Sequence, residues 1–151
     1  MTEKKTYQSL HEDKIFIGGQ HDVEALISDE KCEVIIDLRA ESAIQDNEIG
    51  GIKHIHVPLI DQQEGQEQQI QQAVNKVVEA YKAGKKVAFH CAAGRSRTGS
   101  VAIGTLLSLG ISSSVEDAEK YVKRIRPEVN IHPLLRQSVQ KVFPIDINTD
   151  K

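Results

Sequence analysis

The segment EVIIDL (33–38) is almost unbroken in apolar and β-branched residues, and that continuity sets narrow limits on the fold. A strand with one wet face alternates apolar and polar side chains, whereas a strand covered on both faces need not. KVAFH (86–90) repeats the pattern, and KIFI (14–17) is a shorter version that breaks at Gly18-Gly19. KHIHVPL (53–59) adds a further strand, closed by Pro58. Strands of this kind need helices to cover them.

The intervening segments supply that cover. DVEALIS (22–28) has apolar residues at helical spacing with Asp22 as a first-turn acid, and ESAIQDNEIGG (41–51) reads as helix running into loop. The glutamine-rich run QQEGQEQQIQQAVNKVVEAYKAGK places Ile70, Val74, Val77, Val78 and Tyr81 on one helical face, with Gly84 at its stop. Val101 to Leu109 is an apolar helix ended by Gly110. Ser113 and Glu116 have capping-box spacing for a helix that stops at Pro127, and Pro133 begins the last helix. Strands alternating with helices predict one α/β domain with a central, largely parallel sheet flanked by helices. Its expected extent is 14–145, with a flexible N-terminus at 1–13 and a flexible tail at 146–151.

Composition narrows the class. At 151 residues the chain is long enough for a core without staples, and with no Trp that core rests on Ile, Val, Leu and Ala. A net charge of −3 gives no global basic field, which weighs against a dedicated DNA or anionic-membrane binder. No apolar run approaches a membrane span, and MTEKKTYQSL lacks the apolar centre of a signal peptide, so a cytoplasmic location without membrane insertion is the expectation, while the sequence leaves the oligomeric state open with a monomer as the default. The two cysteines, Cys32 and Cys91, are too few for a disulfide framework or a zinc site.

Cys91 stands in HCAAGRSRTGS (90–100), between the strand KVAFH and the following helix. In open α/β sheets, ligands bind beyond the carboxyl ends of strands, where this stretch falls. Ala92, Ala93, Gly94 and Ser96 are small, so backbone N–H groups from Ala92 through Arg97 can curl around an oxyanion, with Arg95 also in the loop. The helix start adds its positive dipole end, and Arg97 can pair with two phosphate oxygens. Helix N-termini and nearby cations favour thiolate over thiol. A thiolate held against a phosphate cradle is a nucleophile aimed at phosphorus.

HCAAGRSRTG resembles the HCxxGxxR[ST] signature of the Cys-based protein tyrosine phosphatase superfamily, and the compact length resembles its dual-specificity branch. KIFIGG with DVEAL, EVIIDL and RPEVNIHPLLRQ resemble flanking segments of that branch, so the likeness covers about Lys14 to Phe143. It implies a protein tyrosine phosphatase-like fold and an enzyme that needs no cofactor or metal. On the matching positions, Cys91 is the nucleophile, Arg97 the phosphoryl clamp, Thr98 the hydroxyl that stabilises the thiolate, and His90 a brace for the loop. The family takes its general acid from a separate loop. Asp61 in HVPLIDQQEG, thirty residues before Cys91, has the matching place. Asp46 and Glu64 are weaker candidates, and Asp37 at the end of a core strand reads as structural.

Other features carry less. His54 and His56 point to one face of a strand, but no third ligand is evident nearby. Lys120, Lys123, Arg124 and Arg126 mix with acids and read as a solvated helix surface. Cys32 reads as core and too far from Cys91 for a disulfide if their strands are parallel. The leading expectation for the partner is a phosphorylated protein substrate, on phosphotyrosine and also phosphoserine or phosphothreonine. Phosphoinositides, other small phosphate esters or RNA 5′-triphosphate ends are the alternative, and a non-catalytic phosphate-binding module is a third reading.

Overall fold

Four of the six strands lie on the apolar runs read in the sequence. Residues 5–144 are described in a computed structural model of the chain, and the expected tail at 146–151 lies outside them. In chain order the strands are β1 (Gln8–His11), β2 (Ile15–Gly19), β3 (Val34–Arg39), β4 (Asn47–Ile49), β5 (Ile52–Leu59) and β6 (Val87–Cys91). The helices are α1 (Val23–Ser28), α2 (Glu67–Lys82), α3 (Ser96–Ser108), α4 (Val115–Ile125) and α5 (Pro133–Val142). The sheet order is β1-β2-β6-β3-β5-β4. The inner strands β2, β6, β3 and β5 run parallel, and β1 and β4 close the edges antiparallel.

The period of two along the strands divides the core. Val34, Ile36, Leu38, Val87, Phe89 and Cys91 share one cluster with residues of α2, α3, α4 and α5. Ile35, Ala88 and Phe16 face the other way, onto Leu26 of α1 and onto Cys32. Both faces of β3 are therefore covered, as its unbroken apolar run predicts. Cys32 and Cys91 belong to clusters on opposite faces, and both are free thiols. Burial pushes the Cys32 thiol up to about 12, so it is an inert core group.

Four expectations need correction. The N-terminus is not loose where it is described: β1 pairs with β2, and Tyr7 and Leu10 are buried. Residues 41–51 contain no helix; they loop into β4, which forms a hairpin with β5 through Gly50 and Gly51, both at positive φ. Helix α4 is capped one residue later than expected, by Ser114 Oγ accepting from Asp117 N–H. Helix α3 begins at Ser96 rather than Val101. Its first turn, SRTGS, is poor in strong helix formers, but tertiary contacts outweigh that preference. Gly99 lies so close to Val129 and Ile131 that a Cβ would sit 2.7 Å from Val129.

Candidate active site

Strand β6 delivers Cys91 to the carboxyl edge of the sheet, and the chain curls through Ala92–Arg95 before entering α3. Each carbonyl in this curl is tied away from the hollow. Cys91 O accepts from His90 Nδ1 at 3.2 Å and Ala92 O from Gln20 N–H at 3.0 Å. Ala93 O and Gly94 O accept from Arg126 Nη2 and Nε at 3.0 and 2.8 Å. Because a trans peptide sets C=O and the next N–H on opposite sides, the N–H groups of Ala92 to Arg95 turn inward. Helix α3 adds first-turn donors with no side-chain cap over them. The result is an anion cradle built from backbone.

The curl depends on a left-handed residue. Gly94 has φ +73°, and a Cβ there would meet Gly18 O at 2.6 Å and Arg126 Nη2 at 2.7 Å. Arg126 also donates to Thr6 O at 2.6 Å and Gln8 Oε1 at 2.7 Å, joining the loop to the start of β1. It is only 2% exposed, so the reading of Arg126 as solvated helix surface is corrected. It follows α4 rather than lying on it, and its guanidinium turns inward because four acceptors converge there. The arginine of the segment RPEVNIHP was a visible signal for it.

At the base of the cradle Thr98 Oγ1 donates to Cys91 Sγ at 3.1 Å. Arg97 is fixed by Glu41, whose two carboxylate oxygens accept from Nη1 at 2.7 Å and Nη2 at 3.0 Å, and by Leu59 O at 3.2 Å. Its Nε is buried without a hydrogen-bond partner among the described residues, a donor left for a ligand. The bond to Arg97 holds the Glu41 carboxyl below its ordinary range. Sequence reasoning missed Glu41 because it lies in a segment expected to be helix, fifty-six residues from its partner.

His90 lies on the opposite face of the sheet from Cys91, beside Asp37 in the β3–β6 register. Burial pushes the imidazole down, so it is neutral, and its Nδ1–H fixes the Cys91 carbonyl. Asp37 takes three hydrogen bonds from Arg39, consistent with a structural role.

Cys91, Ala92, Ala93, Arg95, Ser96 and Arg97 line one pocket of about 380 Å³ together with Asp61 and Gln62 from the loop after β5. Asn130, Ile131, His132 and Pro133 complete it from the segment entering α5. That segment is anchored by His132 N–H donating to Ser96 Oγ at 3.0 Å. Thr98 and His90 stand behind the pocket, and Gly94 shapes it from outside the lining. Asp46 instead accepts from His56 N–H, and Glu64 is outside the pocket. His54 and His56 do not join a metal-holding group among the described residues. No described helix is long and apolar enough to cross a membrane.

A family model described as "Dual specificity phosphatase, catalytic domain" matches residues 15–141. No curated protein matches the sequence. A mouse putative dual specificity phosphatase solved with zinc tungstate superposes with a TM-score of 0.81 at 18% identity, covering 99% of this chain and 93% of that one. Human DUSP28 gives 0.78 at 18% identity, covering 93% and 94%. PTPMT1 in complex with PI(5)P gives 0.73 at 17% identity, covering 91% and 94%.

Proposed function

The chain belongs to the dual specificity phosphatase catalytic-domain family, and from that premise we propose that it hydrolyses phosphate monoesters of proteins through a phosphocysteine at Cys91. One observation carries the proposal: Cys91, Arg97 and Asp61 line a single pocket, with the buried Arg97 Nε lacking a partner among the described residues. A phosphoryl group in the cradle meets inward N–H groups on several sides and the guanidinium on another. Such fixed donors stabilise the charge spread over the equatorial oxygens in the transition state.

In the first step the Cys91 thiolate attacks phosphorus as the bond to the leaving oxygen breaks. Asp61, protonated, gives its proton to that oxygen. In the second step Asp61, now carboxylate, takes a proton from water. The resulting oxygen attacks phosphorus, the S–P bond breaks, and phosphate leaves. Thr98 stabilises the departing thiolate through its 3.1 Å hydrogen bond. Glu41 is a positioning residue, holding the guanidinium with Nε turned to the substrate.

The favoured substrate is phosphotyrosine in protein, with phosphoserine and phosphothreonine also admitted by the open site. Pro133 is the exposed apolar side chain beside the cradle, placed to take the face of an aromatic ring. Because PTPMT1, crystallised with PI(5)P, shares the fold, the test is one panel of phosphopeptides, soluble phosphoinositides and triphosphate-ended RNA, run without metal. Phosphotyrosyl peptides are expected to turn over fastest; faster release from the lipids or RNA would replace the protein assignment.

A further inference from the structure

The loop that carries Asp61 is not held by apolar packing. Residues 60–65 are exposed or half-buried, and Ile60, their one apolar side chain, is 44% exposed. Gln66 closes the loop and is buried, although the other glutamines of the run QQEGQEQQIQQ are exposed or half-buried. Two helices fix its backbone. Gln66 O accepts from Ile70 N–H at 3.0 Å in the first turn of α2, and Gln66 N–H donates to Ser138 Oγ of α5 at 3.1 Å. From that base the side-chain amide turns back over the loop. Oε1 accepts from Ile60 N–H at 3.1 Å, and Nε2 donates to Glu64 O at 3.3 Å. Only this orientation of the amide satisfies both groups.

The Ile60 N–H belongs to the same peptide unit as Leu59 O, which accepts from Arg97 Nη1 at 3.2 Å. A trans peptide is a rigid plane with N–H and C=O on opposite sides. That plane is gripped by Gln66 on one side and by the phosphoryl clamp on the other, and Asp61 is the next residue but one after Leu59. Resting on the reading of Asp61 as the acid, we infer that Gln66 is a positioning residue for proton transfer, holding the acid loop in register with Arg97. Without this tie the loop still carries the carboxyl but no longer fixes it against the leaving oxygen. A misplacement of about 1 Å is enough to cost on the order of 10²-fold in rate.

The test compares kcat/KM for a phosphotyrosyl peptide, whose leaving oxygen is basic, with that for an aryl phosphate whose acidic leaving group needs no proton. Gln66→Leu keeps similar bulk and removes both amide bonds. It is expected to slow the peptide by about 10²-fold and the aryl phosphate far less, with vanadate affinity near wild type. Gln66→Glu keeps an acceptor for the Ile60 N–H and should restore most of the lost peptide rate. In an Asp61→Ala background, Gln66→Leu should add little further loss, because the group it positions is gone. Ser138→Ala releases the Gln66 N–H and should show the same substrate dependence in smaller measure. It serves as the probe if Gln66→Leu does not fold, and a wild-type ratio of the two substrates in Ser138→Ala would then reject the inference. Equal slowing of both substrates by Gln66→Leu, or its full effect persisting in Asp61→Ala, would overturn it, since Gln66 would then serve the fold or the clamp. If Asp61→Ala itself slows both substrates alike, the acid reading fails first and the role of Gln66 falls with it.

Discussion

Asp61 and Cys91 come from different loops, and the pocket joins them without a hydrogen bond between them. The carboxyl accepts from the backbone N–H of Gln62 at 3.0 Å, leaving its other oxygen for substrate. Asp61→Ala removes the proposed proton donor and leaves Cys91 and the cradle in place. Hydrolysis of a phosphopeptide, whose leaving oxygen is basic, is expected to slow by about 10²–10⁴-fold. Hydrolysis of an aryl phosphate with an acidic leaving group should slow far less. Equal loss on both would move the acid elsewhere. Cys91, Arg97 and Thr98 were legible because one continuous stretch holds them. Asp61 was legible only through its spacing and its place after a strand. Glu41 was not, because a glutamate is recognised as an arginine's partner only after β3 and α3 are packed together.

The loop is held by elements that lie far apart in the chain. β2 contributes Gly18 and Gly19 against the curl, β1 supplies Gln8, and Arg126 after α4 binds both β1 and the loop. Arg126→Met keeps apolar bulk but leaves the carbonyls of Ala93, Gly94 and Thr6 without their donor. Each buried group left unpaired costs about 1–3 kcal/mol, so stability should fall by roughly 3 kcal/mol and vanadate binding should weaken with it. Wild-type stability with wild-type vanadate affinity would show that Arg126 braces nothing. The strand and helix pattern of this region was legible from periodicity, but its edges were not. β1 is short, and only pairing with β2 specifies it. The early start of α3 was hidden because SRTGS is stabilised by Val129, Ile131 and the Cys91 thiol rather than by its own propensity.

For the molecule as a whole, the parallel centre of the sheet places an ion pair under the active edge. Burial alone would raise the Asp37 carboxyl, but hydrogen bonds from Arg39 outweigh it and hold it at about 2 against an ordinary 3.8. A lowered folded value stabilises the protein above the unfolded pKa, and that stability disappears as pH falls toward the folded one. The difference corresponds to about 2 kcal/mol at neutral pH. Denaturant melts of wild type and Asp37→Asn should differ by that order at about pH 7 and converge between about pH 4 and pH 2. A gap that persists through that window would remove the carboxylate from the account. The α/β class and central parallel sheet were legible because continuous apolar strands permit few other architectures. The antiparallel edges β1 and β4 were not, because β4 is exposed throughout and carries no burial pattern to read.

The central claim is covalent: the phosphoryl group passes through the sulfur of Cys91. Asp61→Ala should let that species accumulate on a substrate with an acidic leaving group, because the water-activating carboxylate is missing. Rapid quenching followed by peptide mass spectrometry tests the claim directly. The account predicts one phosphoryl group on the peptide containing Cys91, absent from the Cys91→Ser variant. A phosphoryl group on another residue, or steady turnover that Cys91→Ser does not reduce, would contradict it.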